Sequence, residues 1–148
     1  MSAVAVQLPL LKPPDFTPVP PGGLHYVPAL IDWKGERDAL ASASAQTWAG
    51  MTPLIQIAPQ GDPRLPISAS AIRNRVKQVA GAVRSHPVYL SAAGMESSRP
   101  VIDAGGRSAL QHVHEAARAL GMSFVPVFVL GNDGDIDVVA AAVDQDRR

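Results

Sequence analysis

Asp32, Trp33, Lys34 and Glu36 crowd into five residues behind an apolar run, within the stretch YVPALIDWKGERDAL. A lysine beside two carboxylates at the end of a strand has the groups for proton transfer or for a Schiff base. The spacing does not show that they converge. Gly35 also suits a loop, Glu36 suits the positive end of a helix, and Lys34 then stands in solvent. The pair His112 and His114, followed by Glu115, has metal-ligand chemistry. On a strand both rings would point one way. On a helix, positions two apart diverge by about 200° and cannot share an ion. This segment has helical periodicity, so two partly exposed histidines are expected. The loop GNDGDID, residues 131–137, is acidic, but it lacks the ligand order and closing glutamate of a calcium loop. It reads as a turn in which Asp133 or Asp135 caps the next helix. Arg73, Lys77 and Arg84 form a basic stripe beside an apolar one and read as a solvated face. Ala104-Gly105-Gly106 precedes a helix but lacks both the lysine of a P-loop and the glycine spacing of a dinucleotide turn.

The elements that would position these groups alternate. Residues 24–31, 53–58 (PLIQIA), 87–92 (PVYLSA) and 123–130 (SFVPVFVL) are apolar runs of strand length. Between them lie helix-compatible segments. Residues 35–50 are Ala-rich. Residues 68–84 carry Ile72, Val76, Val79 and Val83 on one stripe, with Ser68 or Ser70 as cap. Residues 106–120 place Leu110, Val113, Ala117 and Leu120 on one face and end at Gly121, a suitable C′ residue. Residues 135–143 form a fourth such segment. The order is β-α-β-α-β-α-β-α, which predicts an α/β domain of four βα units with parallel strands. Such units make half of a TIM-barrel-like fold or a small open doubly wound sheet, and periodicity does not separate the two.

Residues 1–23 hold six prolines and end in Gly22-Gly23. They read as an extended, Pro-rich arm before a domain spanning residues 24–148. The 148 residues carry 13 basic and 13 acidic side chains and no cysteine. Zero net charge speaks against a nucleic-acid or electrostatic membrane binder. The lack of cysteine removes disulfides and thiolate chemistry. The N-terminus has no basic region ahead of its apolar residues, and no apolar run reaches the length of a membrane span. A cytoplasmic protein without metal or cofactor is expected.

Tyr26-Val-Pro-Ala-Leu30, Lys34-Gly-Glu36, Ala39-Leu40 and Thr52-Pro53-Leu54-Ile55-Gln56-Ile57 together resemble the start of the beta family, also called T4-beta-like proteins. Members are found in phages, prophages and bacteria and are commonly more than twice as long. The resemblance implies a TIM-barrel-like architecture and a phage or mobile-element origin, and it implies no particular reaction. Ile31 stands where members carry a basic residue, Gln56 where they often carry an acid, and Tyr89-Leu90-Ser91 where an aspartate is common. Charge is thus missing from strand ends, where a parallel barrel builds its site.

The expected function is a non-catalytic binding or assembly protein that acts through self-association, as a homodimer of half-barrels, or through a host protein. Trp33, Tyr26 and Asp103 are its candidate contact residues. The alternative is an enzyme of hydrolase or lyase type at the strands' C-terminal rim, with Lys34, Glu36, Gln56 and Asp133 as candidate catalytic residues and Ser91 beside them.

Overall fold

Apolar runs bounded by Pro and Gly become short parallel strands, and the segments between them become the crossovers. The computed structural model describes residues 25–58, 65–92, 95, 101–102, 105–127 and 140. Strand β1 (Ala29–Ile31) is followed by helices α1 (Lys34–Ser42) and α2 (Ala45–Ala49), then β2 (Leu54–Gln56). A two-residue strand, β3 (Ile67–Ser68), leads into α3 (Ala69–Val83) and then β4 (Val88–Ser91). Strand β5 (Val101–Ile102), helix α4 (Ala109–Ala119) and β6 (Phe124–Val127) follow. The Pro-rich arm and Asp103 lie outside the described residues, and so does the segment 135–143 apart from helical Ala140.

The main sheet has the order β1-β2-β4-β6, parallel throughout. Strands add in chain order with no reversal. Helices α1, α3 and α4 lie side by side in the same sequence, α3 between the other two. A doubly wound sheet reverses its order at a switch point and puts helices on both faces. Stepwise addition with same-handed crossovers instead lays all the helices on one face, as in the wall of a (β/α) barrel. The sheet order therefore resolves the choice that periodicity leaves open. β3 and β5 form a separate parallel pair in the segments that lead from the strands to α3 and α4.

Register sets what each face carries. Leu30, Ile55 and Leu90 stand in one row, with Val88 on the same side of β4, and they face the helices. Ile55, Val88 and Leu90 are fully buried there against Ile72, Val76, Val79 and Val83 of α3 and Leu110 and Val113 of α4. The next row, Ile31, Gln56, Ser91 and Val127, lies on the opposite face at the strands' C-terminal ends.

Caps fix the helix ends. The Ser68 hydroxyl accepts the Ala71 N–H at 3.2 Å. Ser108 and Gln111 form a reciprocal capping box, with Ser108 N–H donating to Gln111 Oε1 at 2.8 Å. Helix α4 therefore starts at Ala109 rather than at Gly106, and the Ser108 and Gln111 amides at its start are already engaged. It ends in a Schellman turn. Gly121, at φ +65°, donates to the Arg118 carbonyl at 2.9 Å, and Met122 donates to Ala117 at 3.0 Å.

Two expectations are corrected. The segment 35–50 is two helices rather than one, because Ala43 is extended and Ser44 caps α2 by accepting the Thr47 N–H at 3.1 Å. A serine able to cap competes with helix continuation. His112 and His114 are buried rather than partly exposed. Helix α4 packs against α3, and its His114 meets Phe124 of β6, so even positions about 200° apart are both enclosed. The His114 ring lies tilted against Phe124 of β6, with centroids 5.6 Å apart. No helix among the described residues is long and apolar enough to cross a membrane.

Candidate functional site

Asp32 is the residue that the C-terminal end of β1 delivers, and it is buried. Its N–H donates to the Gln56 carbonyl at 3.0 Å, which continues the β1–β2 ladder by one residue. Its Oδ1 accepts the Ala58 N–H at 2.8 Å, just past the end of β2. Arg75, buried in the middle of α3, reaches the same residue twice. Its Nε lies 2.7 Å from Asp32 Oδ2, and its Nη2 donates to the Asp32 carbonyl at 2.9 Å. The first contact is an ion pair rather than a well-aligned hydrogen bond. Arg37 of α1 donates to that carbonyl as well. One aspartate thus ties β1, β2, α1 and α3 together. Burial pushes its carboxyl above the ordinary value, while Arg75 and the Ala58 N–H pull it back down.

A carboxylate whose two oxygens are taken by Arg75 and Ala58 is a brace, not a free base. Arg75 and Arg37 are the residues that sequence reasoning passes over. The signal was present for Arg75. It sits three residues after Ile72 and four before Val79, on the buried stripe of α3, and a charge inside an apolar stripe requires a partner.

The structure does not bring the other candidates together. Lys34 opens α1 and is 84% exposed, paired at 2.5 Å with Asp38 one turn on. Glu36 is two residues along the same helix, about 200° around it from Lys34, and half-buried. One Glu36 oxygen is buried without a hydrogen-bond partner among the described residues. Gln56 does meet Ser91, as register neighbours at the ends of β2 and β4, but neither group is charged. Asp133 lies outside the described residues. Arg73, Lys77 and Arg84 are exposed, as a solvated stripe requires. No cluster of three or more His, Asp or Glu able to hold a metal occurs among the described residues.

Apolar exposure concentrates along β1. Trp33, at the N-cap of α1, is 59% exposed, Tyr26 67% and Val27 47%. Among the described residues β1 is an edge strand, and the ladder fixes which of its backbone groups face inward. Tyr26, Pro28 and Asp32 bond toward β2 and its flanks, and Leu30 follows by alternation. The N–H groups of Val27, Ala29 and Ile31 therefore face away from the sheet, and none has a partner among the described residues. The Ile31 carbonyl is taken by the Trp33 N–H at 2.7 Å. The opposite edge is different. Val88 donates to the Ser123 carbonyl at 3.2 Å, so residues 123, 125 and 127 face β4, and Phe124 and Pro126 face outward. Pro126 has no N–H to offer on that side. Its place on the outer edge is why a proline is tolerated in β6 at all.

Parallel βα units added side by side, with a braced polar junction at the strands' C-terminal ends, define a domain of the (β/α)-barrel type. Residues 26–148 match the family model described as Beta protein, and the chain belongs to that family. The comparisons with curated proteins and with solved structures gave no match.

Proposed function

We propose that this chain is a non-catalytic binding or assembly protein that holds a protein partner along β1. In the phage or mobile-element setting that the family resemblance implies, the partner is a second copy or a host protein met in the cytoplasm. One observation carries the reading. Tyr26, Val27 and Trp33 are exposed beside a strand edge whose outward N–H groups are unpaired among the described residues. Exposed aromatic side chains next to a free edge supply both parts of strand addition, backbone bonds for affinity and side-chain contacts for choice. The acid at the strand end supports the same reading, since Asp32 is engaged in holding the fold.

Native mass spectrometry of the purified full chain tests this. A protein complex of defined stoichiometry is expected. Replacing Tyr26 and Trp33 together by serine is expected to weaken it at least about tenfold. Lys34→Ala and Glu36→Gln are expected to leave it unchanged. A bound small molecule that is lost in Lys34→Ala or Glu36→Gln would overturn the proposal in favour of an enzyme.

A further inference from the structure

We infer that the occupant of the β1 edge is the β1 edge of a second copy of this chain, paired antiparallel about a two-fold axis at Ala29. This deepens the binding function proposed above and rests on it.

Natural edge strands are guarded by outward prolines, charged side chains or bulges. β6 has such a guard, because Pro126 removes an outward N–H. β1 has none. Pro28, just before it, turns its carbonyl inward to accept the Leu54 N–H at 2.8 Å, so the proline spoils the side already paired and leaves the outer side intact. No residue from Tyr26 to Ile31 carries a charge, and the whole chain has formal net charge zero. Two copies can therefore approach edge to edge without like-charge repulsion.

The choice between two modes of self-association follows from the same geometry. Closing two half-barrels on each other would place β6 of one copy against β1 of the next, in parallel, and would meet the missing N–H of Pro126. Pairing β1 with β1 meets no such gap. With Ala29 opposite Ala29 of the second copy, the two exchange both backbone bonds, as a hydrogen-bonded antiparallel pair does. Ile31 then donates to the Val27 carbonyl of the second copy, and the reverse bond forms by symmetry. The return donation from Val27 shares the Ile31 carbonyl with Trp33. The surface is self-complementary, as a two-fold interface requires, and the small Ala29 side chain stands at the axis. The product is one continuous sheet of eight strands with both β6 strands outermost. Tyr26 and Val27 of each copy lie along the seam.

The test is amide hydrogen exchange on the full chain at low and high protein concentration, read beside sedimentation velocity. A concentration-dependent dimer is expected. The Val27, Ala29 and Ile31 amides should slow with dimer formation, while the Phe124 amide stays fast. Ala29→Pro removes an outward N–H and no bond of the β1–β2 ladder. Val27→Lys installs the missing guard. Each should shift the dimer toward monomer at least about tenfold, a fold-change that corresponds to about 1.4 kcal/mol, with an unchanged melting temperature at dilutions where both chains are monomeric. A dimer in which Phe124 slows and Val27 and Ala29 stay fast would overturn β1 pairing in favour of barrel closure, and would leave a protein-binding function standing. A dimer unaffected by both substitutions would overturn β1 pairing likewise. A wild-type chain that is monomeric at every concentration would overturn self-pairing, and the stoichiometry and the Tyr26 and Trp33 replacements described above would then decide the binding function separately.

Discussion

One strand has two contrasting margins. At its C-terminal end β1 is held by three other elements converging on Asp32, with a buried guanidinium, a second arginine and two bonds to the backbone at β2. Along its outer edge, Val27 to Ile31, no outward N–H has a partner among the described residues, and only the Ile31 carbonyl is taken, by the neighbouring Trp33 N–H. The contrast separates two jobs. Polar groups that the sequence places at a strand end are spent on fixing the fold, and the groups left unspent are plain peptide bonds beside exposed aromatic rings. Along this strand the groups without partners among the described residues are backbone ones, and the polar side chain at its end serves the scaffold.

Substitution can break the two margins apart. The largest effect belongs to the end. Asp32→Ala or Arg75→Ala leaves one buried charge without its partner and should destabilise the fold by about 3–5 kcal/mol, measured by urea unfolding. The double variant should cost clearly less than the sum, since both changes delete one interaction. The same group gives a pH dependence of known sign. Burial raises the Asp32 carboxyl above 3.8, so the folded chain binds this proton more tightly than the unfolded chain. Its contribution to stability is complete below pH 3.8 and is lost as pH rises through the raised value. The stability advantage of wild type over Asp32→Asn should therefore shrink with rising pH across that window, and an advantage that grows there would place the carboxyl below 3.8.

Smaller effects sharpen the contrast. Arg37→Ala removes one part-buried donor to the Asp32 carbonyl and should cost about 1 kcal/mol in the same unfolding measurement. Smallest of all, Val27→Lys should change the unfolding free energy of the chain, measured at dilutions where it is monomeric, by less than about 0.5 kcal/mol, because the side chain is exposed. A large loss of stability in Val27→Lys would mean that the edge holds the fold as the end does, and the separation of roles would be gone.

Much of the scaffold is legible in the sequence. PLIQIA, PVYLSA and SFVPVFVL are apolar runs that become β2, β4 and β6, and the Ile72, Val76, Val79 and Val83 stripe becomes the buried face of α3. Ser68 and Gly121 act as the cap and the C′ residue that their types suggest. Sheet order is not legible, because it depends on which strands meet after the helices have crossed over. The two-residue strands β3 and β5 are too short to show periodicity. The site was half legible. Asp32 and Trp33 could be picked out by type and place, but the role of Asp32 depends on Arg75, 43 residues away. Conversely, a proline inside SFVPVFVL already marks an edge strand, although only the register shows that its nitrogen points outward.

The two tryptophans stand at opposite ends of the sheet, in opposite surroundings. Trp33, beyond the C-terminal end of β1, is open to water. Trp48 of α2, near the N-terminal end of β2, is buried and stacked on His86 with ring centroids 4.2 Å apart and planes 5° from parallel. The chain therefore carries two fluorophores with separate fates. An aqueous quencher such as iodide reaches the exposed indole and spares the one in the core. Light emitted from Trp33 reports the surroundings of the C-terminal end of β1, and light from Trp48 reports whether the domain is folded, with no label added.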